Sequence, residues 1–246
     1  IPRMGDIRIG HGGSGTGIDR LDDVTPNAWV EAYGVGLTNG MQTVNGASTG
    51  TGIEWTPNMT PDGLTARLFW TPDVTGGATN DGGASGGAVN SGSSGYDITL
   101  VATDEITGMA GLTIGGGYSA FDRTAAEGDA EDTTVYATYA VGSFTLGYQW
   151  SEADLGTTTG AQQYDNDGYG ITFAINDDLS IGYNHYESAQ DNSGTDVTSE
   201  ASSIQMAYSA GGLSLRLAAG EGDNMAYQTG AAYDRDSTIL SVALAF

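Results

Sequence analysis

The sequence predicts an all-β protein, a transmembrane antiparallel β-barrel, on three observations. The last ten residues, Ser237 to Phe246, read STILSVALAF. Side chains alternate across a strand, so Leu240, Val242, Leu244 and Phe246 share one face, and Ile239, Ser241, Ala243 and Ala245 the other. A strand of about ten residues with one apolar side suits a tilted crossing of a bilayer. The alternation then recurs along the chain. Finally, the connections alternate in length, short on one side and long on the other, a rhythm that a soluble β-sandwich has no reason to keep.

Twelve strands are predicted, at about 3–9, 51–56, 64–71, 96–103, 110–119, 133–141, 144–151, 168–175, 179–187, 201–209, 212–220 and 237–246. Phe144, Leu146, Tyr148 and Trp150 interleave with Thr145, Gly147, Gln149 and Ser151; Ile204, Met206 and Tyr208 interleave with Ser203, Gln205 and Ala207. The polar partners are small or hydrogen-bonding, which fits a wet interior. Short turns run through Pro57–Gly63, Asp104–Met109, Gly142–Ser143, Asn176–Asp178 and Ala210–Gly212. Long connections span about 10–50, 72–95, 120–132, 152–167, 188–200 and 221–236, all within a single domain over 1–246. Trp55, Trp70, Tyr118, Trp150, Tyr169, Tyr183 and Tyr186 fall near strand ends, where amphipathic rings suit a lipid–water boundary.

Composition narrows the function classes. Forty Gly, five Pro and thirteen Tyr suit strands and loops better than helices. No apolar run is long enough for a transmembrane helix, which leaves a closed barrel as the spanning option. The formal charge is −24, from 31 acids and seven bases, all Arg. Such a surface excludes nucleic acid as a partner. The absence of Cys removes disulfides and thiol chemistry.

The connection at 10–50 is too long for a plain hairpin. Thr25 can cap a helix, Pro26 suits its first position and Gly34 its end, which predicts a short helix at about 26–33. Asp19, Asp22, Asp23 and Glu31 make the segment acidic.

With GDIRIGHGG at 5–13, this acidic loop, the loop rhythm and the terminal STILSVALAF, the sequence resembles the general porins of Gram-negative bacteria, most closely the trimeric porins of alphaproteobacteria. The resemblance implies a sixteen-stranded barrel whose fifth strand precedes a long loop folded into the lumen. Residues 3–9 would be that fifth strand, and the first four strands would be missing from this sequence. It further implies an outer-membrane homotrimer in contact with lipid and lipopolysaccharide. The row Leu240, Val242, Leu244 and Phe246 would be the signal read by the barrel-assembly machinery. It implies, last, a passive channel rather than an enzyme, with Asp19, Asp22, Asp23 and Glu31 as loop acids facing basic residues on the wall. Alternation turns Arg8, Arg67 and Arg216 away from the apolar rows, so these are the candidate wall bases, although Phe69 shares the face of Arg67.

Other readings stay open at this stage. His11 and His185, with plentiful Ser, allow a non-conducting barrel serving as an enzyme or adhesin; the acidity allows a soluble β-protein. Tyr164-Asp165-Asn166-Asp167-Gly168 is rich in oxygen ligands but lacks the frame of a calcium loop, and the Gly-rich stretch at 76–95 lacks a calcium-binding repeat. The expectation is no cofactor beyond weak Ca2+ binding at acidic loops.

Overall fold

A computed structural model of the protein describes residues 4–10, 15–37, 40–49, 51–72, 94–121 and 128–245. His11, Phe246 and nearly all of the Gly-rich stretch lie outside the described residues. Among the described residues there are twelve strands: β1 (Asp6–Gly10), β2 (Gly52–Thr56), β3 (Leu64–Thr71), β4 (Gly95–Ala102), β5 (Leu112–Phe121), β6 (Ala130–Val141), β7 (Phe144–Asp154), β8 (Ala161–Ala174), β9 (Leu179–Asn192), β10 (Val197–Ala210), β11 (Leu213–Asp223) and β12 (Arg235–Leu244). They form one sheet in sequence order, each strand antiparallel to the next. Among the described residues β1 and β12 are its two edges.

The burial pattern is inverted relative to a soluble protein. Buried side chains on the strands include Glu54, Asp97, Thr99, Ser119, Asp132, Thr134, Gln149, Asn184, Ser203 and Gln205. The opposite face carries exposed Ile9, Leu68, Trp70, Ile98, Leu146, Ile171, Ile204 and Leu240. Ile204 is 68% exposed and Leu240 67%. Wide apolar rows on the outside are unsustainable in water and suit lipid. Arg8 pairs across the ladder with Glu54, Glu54 with Phe69, Phe69 with Asp97 and Asp97 with Ser119, so all five share the polar face. Trp55, Trp70, Tyr118, Trp150, Tyr169 and Tyr183 lie in the apolar phase. Tyr186 does not: it is buried on the polar face, hydrogen-bonded to Thr25.

Two differences from the sequence reading stand out. Strands β8 to β10 each run for 14 residues, so the expected loops at 152–167 and 188–200 shrink to 155–160 and 193–196. Tyr164–Gly168 is strand: Tyr164 and Asn166 are buried, while Asp165 and Asp167 take the opposite face. The oxygen-bearing side chains of this segment are thus divided between the two faces of a strand rather than folded around one ion. The short turns occur where expected. That at 103–111 includes a one-turn helix, Asp104–Thr107, ended by Gly108 in the left-handed region (φ 70°).

The described parts of the connection at 10–50, residues 15–37 and 40–49, lie across the polar face. The predicted helix at 26–33 is absent. In its place are short 3-10 turns at Gly17–Leu21, Ala32–Gly34 and Gly46–Thr49. The cause is competition from the sheet. Gln205 Oε1 accepts the N–H groups of Trp29 (2.8 Å) and Val30 (3.1 Å), and Val30 O accepts from the Asn184 side chain (3.2 Å). The backbone groups that a helix would pair internally are taken by strand side chains.

Candidate functional site: an acidic loop on the polar face

The loop is held by carboxylates that the strands aim at its backbone. Glu54 Oε2 on β2 accepts the N–H of Gly17 (2.8 Å). Asp97 on β4 accepts Ile18 N–H on one oxygen (3.1 Å) and Ala47 N–H on the other (3.0 Å), joining the two ends of the loop. Asp132 Oδ2 on β6 accepts from Asn45 (3.0 Å) and Gly46 (2.6 Å). Each is a charge-assisted bond at a site closed to water, where such bonds are strongest. Arg20 closes this end: its Nη2 lies 2.6 Å from Glu54 Oε1, and its Nε donates to Oε2 at 3.0 Å.

The middle of the loop rests on a shelf without side chains. A Cβ at Gly147 would meet the Pro26 ring, and one at Gly170 would run into the Pro26 carbonyl. Gln149 on β7 donates to Leu21 O, and Gln205 donates to Val30 O. The far end is fixed by Tyr227, whose hydroxyl accepts Gln42 N–H (2.8 Å) and pairs with Ser188 Oγ (2.7 Å). Leu37, Met225, Ala201, Ala32 and Tyr186 pack together there.

The four predicted loop acids come together. Burial, then Asp23, with smaller contributions from Asp19 and Glu31, pushes the Asp22 carboxyl up to about 8, against a hydrogen bond to Thr43 that acts the other way. Burial also raises Asp23 and Glu31 above the usual carboxylate range. Asp23 accepts from the Tyr33 hydroxyl and Glu31 from Asn27 Nδ2 (3.0 Å). Asp19 Oδ2 accepts Gly15 N–H (3.0 Å). One Asp22 oxygen is buried without a partner among the described residues.

The three predicted wall arginines all take the polar phase. Arg8 donates to Gly15 O (3.2 Å) and so steadies the loop as well as lining the face. Arg67 stands opposite Thr99, close to Arg20 and Glu54 in the field it experiences. Phe69 shares its face because the turn at 46–49 covers that ring, which packs with Ala47 and Phe121. Arg216 stands opposite Ala207 and Ser241, exposed and apart from the other two. The Leu240, Val242 and Leu244 row is exposed on the apolar face. His185 lies in the apolar phase, its ring 5.0 Å from that of Tyr169.

Sequence reasoning missed Arg20, Glu54, Asp97, Asp132, Gln149, Gln205 and Tyr227. A signal was present for two of them, Glu54 and Asp97, whereas Asp132 fell in the expected loop at 120–132. A carboxylate inside a strand, in phase with the small polar residues, needs a donor, and a loop backbone supplies one.

No protein-family model matches the sequence, and no curated protein matches it. Its fold is similar to solved outer-membrane proteins. To OmpT of Vibrio cholerae the TM-score is 0.56 at 13% identity, covering 89% of this chain and 65% of that one. To OmpF of Salmonella typhi, solved with daunomycin, it is 0.61 at 13% identity, covering 86% and 71%. To a porin refined at 1.8 Å it is 0.63 at 15% identity, covering 99% and 78%. The chain thus spans about two thirds of the length of the OmpT chain. These likenesses, with the inverted burial, make the fold that of the outer-membrane β-barrels, general porins among them.

Proposed function

We propose that the chain forms an outer-membrane porin, a passive diffusion channel for small hydrophilic solutes and ions. The observation that carries this reading is the loop at 15–49, hydrogen-bonded across the polar face from β2 to β10 with four carboxylates gathered on it. A channel needs no catalyst. It needs a constriction whose size and charge select what passes. Asp19, Asp23 and Glu31 supply the negative side, and Asp22 joins them as pH rises through about 8. Arg8, Arg67 and Arg216 supply positive charge on the wall, with Arg20 joining them from the loop. Separated charge across a narrow opening orders water and disfavours apolar solutes.

In this reading the barrel is of the sixteen-stranded type, the protein is a homotrimer (V. cholerae OmpT has been solved in a trimer form), and the outward apolar rows meet outer-membrane lipid and lipopolysaccharide. The Leu240, Val242, Leu244 and Phe246 row is read by the assembly machinery. The test is conductance in a planar bilayer. Stepwise openings in threes, with a reversal potential favouring cations in a salt gradient, support the proposal. Protein that inserts and never conducts overturns it in favour of a plugged barrel.

A further inference from the structure

Gly46 is a residue the fold cannot exchange, and Asn45 precedes it. Gly46 has φ 62°, and a Cβ there would run into Ile18 and the Ser119 hydroxyl. An Asn–Gly pair is chemically labile, because a glycine nitrogen with no Cβ beside it can close on the asparagine carboxamide. The sequence holds one other such pair, Asn39–Gly40, and Asn39 lies outside the described residues. At Asn45 the docked loop restrains the reacting groups in two ways. Asp132 Oδ2 accepts the N–H of Gly46 (2.6 Å) and of Asn45 (3.0 Å), so the nitrogen that would attack keeps its proton against a negative charge. Asn45 Nδ2 donates to Thr43 O (3.0 Å), which turns the carboxamide back along the chain, away from Gly46 N. Gly46 is buried, whereas Asn45 is exposed to water.

We propose that Asn45–Gly46 is a self-modification site, closed while the loop is docked on Asp132 and open once the loop leaves it. Undocking removes the carboxylate from Gly46 N and frees the backbone at 45–46 to turn. Gly46 N then gives its proton to the solvent and attacks Asn45 Cγ. A C–N bond forms, the bond from Cγ to Nδ2 breaks, and Nδ2 takes up a proton and departs as ammonia. The product is a five-membered succinimide. Water adds to one of its two carbonyls and the ring C–N bond there breaks, the ring nitrogen regaining its proton, to give aspartate or isoaspartate. The net change is the carboxamide nitrogen exchanged for an oxygen of water, and nothing is oxidised or reduced.

The product does not dock as before. Isoaspartate routes the chain through Cβ and Cγ, which puts one more backbone atom between the N–H groups of residues 45 and 46. Those two groups converge on a single oxygen of Asp132, so lengthening the chain between them breaks the pair. Either product also places a new carboxylate in the turn that Asp132 holds, and like charges at close range repel. A passing excursion of the loop thereby becomes a lasting one. The site depends on the docking of the loop and not on whether the barrel conducts.

The test ages purified protein in detergent and mildly alkaline buffer. Conversion at Asn45 is read by mass spectrometry as a gain of about 1 Da, with electron-transfer fragmentation separating Asn45 from Asn39 and isoaspartate from aspartate. The folded wild type should convert about 100-fold more slowly than the same chain unfolded in urea. Asp132→Ala should speed conversion in the folded protein by about 30-fold, with amide exchange in β6 and β7 unaltered. A folded wild type that reacts as fast as the unfolded chain overturns the proposal. So does a variant no faster than the wild type; a slower one would make Asp132 the base that draws off the Gly46 proton. Faster exchange throughout β6 and β7 would assign the effect to the sheet and overturns it as well. Should Asp132→Ala fail to fold, Asp97→Ala, which loosens the loop at the adjoining Ala47, should give an acceleration of the same order. Limited proteolysis of a partly converted wild-type sample tests the product: converted chains should be cut in the loop first, and equal conversion in cut and intact chains overturns the block on docking.

Discussion

Replacing Asp97 with Ala should loosen the loop while leaving the sheet intact. Asp97 is 1% exposed, and each of its oxygens accepts one backbone N–H, from Ile18 near one end of the loop and from Ala47 near the other. Ala47 N–H has a second acceptor, Ser119 Oγ at 2.9 Å, so it keeps a partner; Ile18 N–H loses its one acceptor among the described residues. An orphaned buried donor costs about 1–3 kcal/mol, and loss of a charge-assisted bond lies at the upper end. With the weakened Ala47 contact included, docking should lose about 3 kcal/mol, a factor of about 100 in the population of the undocked loop. Asp97→Asn keeps one acceptor oxygen and should show about half of that free-energy loss. The assay is amide hydrogen exchange at Ile18 and Ala47, paired with current noise in single-channel records. Exchange at Ile18 should quicken by about 100-fold, whereas amides within β4 and β5 should not change. Unchanged exchange at Ile18 would refute the clamp, and uniformly faster exchange across β4 and β5 would show that Asp97 serves the sheet rather than the loop.

Three further outcomes follow from the same geometry. Arg20→Ala leaves Glu54 buried with the Gly17 N–H as its hydrogen-bond donor among the described residues and Arg67 as the nearby charge; because Arg20 is itself 27% exposed, the loss should be about 2 kcal/mol, below that of a fully buried pair, read as faster proteolysis within 15–25. Gly170→Val drives a side chain into the Pro26 carbonyl, so the channel's conductance level should become unsteady while the heat stability of the barrel changes little. Because Asp22 is raised to about 8, its protonated form favours the docked loop; this contribution is complete below about pH 4 and is lost as pH rises through about 8. Cation preference, from reversal potentials, should therefore increase between about pH 7 and 9, and Asp22→Asn should flatten the increase.

Much of the fold was legible because a period of two is a local signal. All twelve strands could be placed, and the same alternation put Arg8, Arg67 and Arg216 on the polar face without any contact being known. The failures share a physical origin. Thr25, Pro26 and Gly34 form a sound local helix signal, but the acceptor that overrides it, Gln205, is more than 170 residues away in the chain and meets Trp29 only through folding. Tyr164–Gly168 read as a loop because both of its faces are polar. Beyond the apolar band both faces of a strand can carry polar groups, so alternation fades although the ladder continues. Which wall groups hold the loop depends on register and on the loop's path, and neither is written in spacing.

The chain carries a charge of −24, yet an acidic loop docks onto a wall that itself presents Glu54, Asp97 and Asp132. Carboxylate facing carboxylate would expel the loop. The conflict is avoided because the wall acids bind the loop's backbone N–H groups and, at Glu54, Arg20. The loop's own acids turn to partners within the loop: Asp19 to Gly15, Asp23 to Tyr33, Glu31 to Asn27. Anchoring and local charge are therefore carried by different residues. A wall acid such as Asp97 can be removed with its effect on the mobility of the loop, and a loop acid such as Asp22 with its effect on ion preference. A channel in which both substitutions changed ion preference alike, with loop exchange unaltered, would not be built in this way.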